Sequence, residues 1–216
     1  MEEFYNLLVK YNLSLHSQIA MPKWHQIFTK SKMPVYMEVL LQNIRLFDRK
    51  LSIIEVGSGY GDIVAILLFL GFKNVIGIER DEEACNIANK KIKDLLDKDK
   101  KYIICEDYPI SLEYSPDVYI QVNNVYTDDV SDKSKYLERS KNWVMHNGKP
   151  KSAFVEFIDS DFTIASDHFP SYVRLTKEEV QGLFTKSAVS DFKTYEYPRN
   201  SSSKTLYRID FNHSVF

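Results

Sequence analysis

Cysteine is nearly absent from this chain. Cys85 and Cys105 are the only two in 216 residues, and neither has a metal-ligand spacing. A disulfide framework and a thiolate metal cluster are thereby excluded, and both residues read as small core side chains in a reducing compartment. Long hydrophobic runs are missing too. The longest, residues 63–70, falls far short of the roughly 20 residues that span a bilayer. No basic start followed by an apolar stretch marks a secretory leader, so the expectation is a cytoplasmic protein with no membrane partner. Charge of one sign is also lacking: 28 Lys and Arg face 30 Asp and Glu, for a net charge of −2. Such a balance exerts no global pull toward polyanions. With no interleaving of basic and aromatic residues, no nucleic-acid partner is expected. There is no internal repeat, low-complexity tract or long linker. What remains is ordinary for a globular protein, 44% apolar and 27% charged, and long enough for one sizeable core but not for two full domains.

The first 50 residues carry helical spacing. Phe4, Leu7, Leu8 and Tyr11 share one face, and Val35, Val39, Leu40 and Ile44 another, while Pro22 and Pro34 punctuate the stretch. Two or three short helices are expected, forming an N-terminal cap or substrate lid over residues 1–50. From residue 51 strands alternate with helices. Strands are predicted over 52–56, 74–79, 101–105, 117–122 and 152–158, and helices over 62–70, 81–96 and 132–145. Each of these helices opens on an aspartate suited to accept bonds from first-turn amides. A capping box of Thr176 and Glu179 starts a helix over 176–187, and strands over 191–197 and 205–212 close the chain. The pattern predicts an α/β domain over 51–216 with a doubly wound, mainly parallel seven-stranded sheet. Its last strand is antiparallel, and helices cover both faces.

The densest signal is Glu55-Val56-Gly57-Ser58-Gly59-Tyr60-Gly61 between the first strand and its helix. Three glycines at alternate positions permit a tight turn and close approach of a ligand to the backbone. The turn also delivers amides and the positive end of the next helix. Glu79 ends the following strand, where a ribose diol lies in nucleotide-binding α/β folds. A dinucleotide fingerprint would need glycine at position 62, which is Asp62, and a carboxylate there is poor company for a pyrophosphate. With Glu55 just before the loop, the site suits a cofactor whose tail carries an ammonium or sulfonium charge.

On these residues, residues 51–212 resemble a class I S-adenosylmethionine-dependent methyltransferase. The glycine motif and Glu79 match the family's pattern, as does Asp107 after Ile103-Ile104-Cys105. Asp117-Val118-Tyr119-Ile120 resembles its fourth strand, and Asn142 to Gly148 its last helix and turn before the fifth. The resemblance implies S-adenosylmethionine as cofactor. It places Gly57, Ser58, Gly59 and Gly61 under the methionine part with Glu55 nearby, and Glu79 on the ribose hydroxyls with Arg80 flanking. Asp107 would meet the adenine edge, and Gln121 would lie near the reacting methyl.

Methyl transfer asks the protein to align an acceptor and, for an alcohol, to take a proton. Candidate catalytic residues are Asn123 and Tyr126 after the fourth strand, Asp161 after the fifth, and His168 as a metal-free base. Asn123-Asn124-Val125-Tyr126 loosely resembles the N-P-P-Y signature of amino-group methyltransferases but lacks both prolines. Asp159 and Asp161 suggest a divalent ion, yet Gln121 and Asn123 stand where such a site needs an acid, so no metal is expected. Trp24, His25, Phe28 and Tyr36 are candidates for pocket walls, or alternatively for core packing. The leading reading is methylation of a small molecule or sugar, at oxygen. The alternatives are N-methylation of a protein or nucleobase amino group, and a non-catalytic binding module. The oligomeric state is left open.

Overall fold

The structure, a computed structural model, describes residues 1–20, 22–125, 128–162, 169–196 and 203–211. In chain order these form α1 (Glu2–Gln18), a 3-10 helix (Lys23–Thr29), α2 (Val35–Ile44), β1 (Ser52–Val56), α3 (Asp62–Phe69), β2 (Asn74–Glu79), α4 (Glu82–Leu96) and β3 (Ile103–Cys105). There follow β4 (Val118–Gln121), α5 (Lys133–Met145), β5 (Ser152–Asp159), a 3-10 turn (Ser171–Val173), β6 (Arg174–Leu175), α6 (Lys177–Leu183), β7 (Ser187–Glu196) and β8 (Ser203–Phe211). The chain groups into two compact units, Met1–Leu51 with Gly57–Asp107, and Ser52–Val56 with Tyr108–Phe216.

In the first unit, Pro22 and Pro34 each precede a helix in extended backbone, so the N-terminal stretch forms three helices. The buried faces are rotated from those expected. α1 buries Phe4, Tyr5, Leu8, Val9 and Asn12 and leaves Leu7 exposed. α2 buries Tyr36, Met37, Leu40, Leu41 and Ile44 and leaves Val35 exposed. The α1 stripe follows Asn12, a polar residue that hydropathy alone assigns outward and a buried carboxylate draws inward. Asp81 caps α4, its side chain accepting from the Ala84 amide at 2.8 Å. Asp62, expected to cap α3 in the same way, does not: Gly61 holds that position, and the aspartate is spent elsewhere. β2 and β3 pair in parallel, Gly77 opposite Ile103 and Glu79 opposite Cys105. β3 starts later than predicted because Asn89 Oδ1 accepts from the amides of both Tyr102 and Ile103. Cys85 is buried on α4, but Cys105 is exposed at the strand's end, so the core assignment holds for only one thiol.

In the second unit the strand order is β1-β4-β5-β8-β7, with β6 beside the end of β5. β1, β4 and β5 are mutually parallel, and β8 runs antiparallel to both β5 and β7. This is the expected α/β pattern of mainly parallel strands with an antiparallel last strand. That strand lies inside the sheet rather than at its edge. All eight residues of β5 are buried, as befits a strand covered on both faces. Asp132 caps α5, and the Thr176–Glu179 capping box forms as read. α6 stops at Leu183, short of the predicted 187. Residues 187–190 instead pair with 208–211, and ladder bonds plus the Phe184–Phe211 edge contact at 5.9 Å outweigh continued helix. No helix of the described residues is long and apolar enough to cross a membrane.

Candidate functional site

The loop after β1 is shaped by backbone requirements. Gly57, Gly59 and Gly61 all adopt positive φ, 70°, 51° and 72°, a region that costs other residues about 1 kcal/mol or more. The Gly57 and Ser58 amides donate to Ile78 O at 2.8 and 3.1 Å, binding the loop to β2. Gly77 on β2 is equally constrained: a Cβ there would lie 2.6 Å from Ile103 Cδ1 and 2.7 Å from Ser58 Oγ. The hydroxyl of Ser58 is buried over this spot, with no hydrogen-bond partner among the described residues. Gly77→Ala is therefore expected to cost about 1–3 kcal/mol by overpacking, read by urea unfolding. A loss within a few tenths would mean the loop yields freely.

Glu79 organises the far side of the loop. Its Oε2 accepts from the Gly59 amide at 2.9 Å, and its Oε1 accepts from the Arg80 and Asp81 amides at 2.9 and 3.0 Å. Its own carbonyl accepts from the Glu106 amide at 3.0 Å, which fixes the chain leading to the exposed Asp107. The first unit thus gathers Gly57, Ser58, Gly59, Gly61, Glu79, Arg80 and Asp107. Tyr60, on the same loop, is buried and meets the His25 ring edge-on at 4.7 Å. Burial, with Asp81, Glu83 and Glu79 nearby, raises its phenol pKa.

Asp62 departs from expectation. Its carboxylate is buried and turned away into a polar cluster that sequence reasoning missed. Oδ1 accepts from Asn12 Nδ2 at 2.8 Å and pairs with Lys91 Nζ at 2.9 Å, while Oδ2 lies 3.0 Å from His25 Nε2. Burial alone would raise the Asp62 pKa, but Lys91, His25 and Asn12 hold it well below the usual carboxylate range. A carboxylate so occupied presents no charge to the loop, so its repulsion of a pyrophosphate is not what selects the ligand. His25, Phe28 and Tyr36 are buried core residues. The Trp24 side chain lies outside the described residues.

In the second unit, Glu55 and Gln121 are buried on β1 and β4. Gln121 Oε1 accepts from the Tyr119 hydroxyl at 2.7 Å. Asn123, just past β4, has a positive φ of 55°. Its amide donates to Glu156 Oε2 at 2.9 Å, and Lys204 Nζ lies 3.4 Å from its Oδ1 and 3.5 Å from Glu156 Oε2. Glu156, buried on β5, was not anticipated; the signal was a lone acid within the apolar run of residues 153–158. Asn124 Nδ2 donates to Val56 O at 2.8 Å, while its Oδ1 is buried without a partner among the described residues. Asp159 is buried and Asp161 is exposed. His168 and Tyr126 lie outside the described residues. Among those described, no group of three or more His, Cys, Asp or Glu side chains is placed to hold a metal ion.

No protein-family model and no curated protein sequence matches the chain. Solved structures do. Magnesium protoporphyrin IX methyltransferase (ChlM) from Synechocystis PCC 6803, with bound SAH, aligns with a TM-score of 0.64 at 10% identity, over 97% of this chain and 100% of that one. The methyltransferase domain of bacterial CtHen1 aligns with a TM-score of 0.58 at 14% identity, over 82% and 97%. The plantazolicin methyltransferase BpumL, in complex with SAH, aligns with a TM-score of 0.53 at 15% identity, over 82% and 83%. With the glycine loop, the acid ending β2 and the inserted antiparallel strand, these likenesses establish that the chain has the class I methyltransferase fold.

Proposed function

We propose that the chain binds S-adenosylmethionine along its glycine loop and transfers the methyl group to an oxygen of a small molecule or sugar. The observation that carries this reading is Glu79. Its carboxylate is held by three amides beside the left-handed Gly57 and Gly59, and Oε2, which accepts one of them, keeps a lone pair for a ribose hydroxyl. The loop fits such a group: it has backbone amides, no exposed carboxylate from Asp62, and a buried Ser58 hydroxyl with acceptor and donor capacity to spare. Arg80 flanks the ribose and Asp107 meets the adenine edge, while the roles of Glu55 and Gln121 rest on the family resemblance alone. Residues 1–50 act as the cap over the cofactor.

The sulfonium supplies an electrophilic methyl group. The chain's own part is to hold an acceptor oxygen in line and remove its proton. We assign the orienting role to Asn123, because Glu156 and Lys204 fix its backbone and side chain in an uncommon conformation, and to Tyr126 on the sequence alone. Asp161 and His168 are the proposed proton acceptors, with no metal. Methylation of an amino group on a protein or nucleobase is the second reading. It is favoured by Asn124 Oδ1, a buried acceptor without a partner among the described residues. The two free thiols, one of them exposed, suit a reducing, cytoplasmic setting.

Calorimetry with S-adenosylhomocysteine, followed by label transfer from methyl-labelled S-adenosylmethionine, tests both levels. Saturable binding and label in extracted small metabolites are expected. Label on macromolecules would favour the amino-group reading. Binding without transfer across a broad acceptor panel would point to a binding module, and absence of binding by either adenosyl compound would end the proposal.

A further inference from the structure

The polar cluster around Asp62 joins four elements of the first unit. Asn12 and His16 come from α1, His25 from the 3-10 helix, Asp62 from the first residue of α3, and Lys91 from α4. Asn12, His25 and Lys91 are fully buried and Asp62 is 3% exposed. An ionised aspartate only accepts, so His25 donates its Nε2 proton to Asp62. The Nδ1 of a neutral His25 then accepts from His16 Nε2, 3.0 Å away. His16 and His25 also stack, with ring centroids 5.3 Å apart. Asn12 Nδ2 bonds Phe28 O at 3.2 Å as well as Asp62, so α1 and the 3-10 helix are both tied to one carboxylate.

That carboxylate sits next to Gly61, the last glycine of the loop. Gly61 has little freedom of its own: its φ is 72°, and a Cβ would come 2.9 Å from Ala88 Cβ on α4. The residue gripped by the N-terminal segment is thus covalently joined to the one that ends the ligand loop. Tyr60, one residue further back, packs edge-on against the same His25 ring. Hydrogen bonds to Asp62 and ring packing on Tyr60 thus both run from the N-terminal segment to the loop.

We infer that His25 and Asp62 are positioning residues that couple docking of the N-terminal segment to ligand occupancy of the glycine loop. The inference rests on the reading that this loop binds an adenosyl compound. Ordering of residues 2–29 and binding at the loop then become reciprocal, each favouring the other by the same factor. Burial of an ion pair in place of apolar packing fits this role, because a carboxylate ringed by directed donors accepts one arrangement of its neighbours where an apolar contact accepts several.

The test uses the full chain and S-adenosylhomocysteine, comparing His25→Phe with His25→Gln. In the unaltered protein, the ligand should slow amide exchange in residues 2–29. His25→Phe should weaken binding by roughly tenfold, an ordinary coupling strength, and abolish that ligand-dependent slowing. His25→Gln, which retains a donor for Asp62, should restore most of both. A purely structural role would speed exchange equally with and without ligand, leaving the ligand-dependent difference intact; that result overturns the inference. Should His25→Phe not fold, His16→Ala severs only the half-exposed end of the chain of bonds. It should abolish the ligand-dependent slowing in α1, and retention of that slowing equally overturns the inference. Unaltered affinity in a folded His25→Phe variant removes this inference alone. Failure of the unaltered chain to bind removes the adenosyl reading as well.

Discussion

Glu79→Ala is expected to weaken binding of S-adenosylhomocysteine by roughly tenfold to a hundredfold. The lone pair left on Oε2 accepts one ribose hydroxyl in a charge-assisted bond of about 1.5–3 kcal/mol, and every 1.4 kcal/mol is about tenfold. The substitution also strips a shared acceptor from the amides of Gly59, Arg80 and Asp81, loosening the corner that shapes the loop. Glu79→Gln keeps one carbonyl acceptor and should fall between the two. Calorimetry on variants with unchanged thermal melting checks this. An alanine variant within about threefold of the parent affinity would show that Glu79 serves only to tie down the turn.

The second large effect concerns stability. Lys91→Met is expected to cost about 3–5 kcal/mol, because it leaves Asp62 buried without its cation. Lys91 and Asp62 side chains are 0% and 4% exposed and 2.9 Å apart, so water replaces nothing that is lost. Adding Asp62→Asn to Lys91→Met removes the stranded charge while keeping an oxygen for Asn12, and should recover most of the loss. Urea unfolding of the single and double variants reads both values, and a cost below about 1 kcal/mol for Lys91→Met would place the pair in a solvated setting. Acid gives an independent check. The Asp62 pKa is depressed in the folded state by Lys91, His25 and Asn12 against the pull of burial. Its contribution is therefore present above the unfolded value and is lost only as pH falls through the lower folded one. The parent should hold this part of its stability well into acid, and Lys91→Met should surrender it earlier.

Much of the fold was legible because its signals are local. Alternating strand and helix, the aspartates before α4 and α5, and the Thr176 capping box each act within one turn of chain, and each is found as read. The glycine loop was legible for the same reason, since three alternate glycines have few other uses. Asp62 shows where locality ends. As a residue it looked like one more helix cap, yet three partners from distant segments claim its oxygens, and only tertiary packing brings them there. Lys91 carried a faint signal: it stands on the face of α4 with Ala84, Cys85, Ala88 and Ile92, where helical period allots an apolar side chain. Glu156 carried the same signal within β5. A charge in a core position announces a partner without naming it. The early start of β7 was hidden because residues 184–190 suit either helix or strand, and pairing with β8 decides.

The placement of β8 between β5 and β7 orders events in time. On a ribosome, β1, β4 and β5 emerge in sequence and can pair as they appear, but among the described residues β7 has no neighbour in the sheet except a strand not yet made. Until residues 203–211 leave the exit tunnel, the flank of β5 is an open row of donors and acceptors and β7 is an unpaired strand, both prone to pairing with other chains. Completion of this sheet waits for β8, and a chain cut short before residue 203 inherits two sticky edges at once.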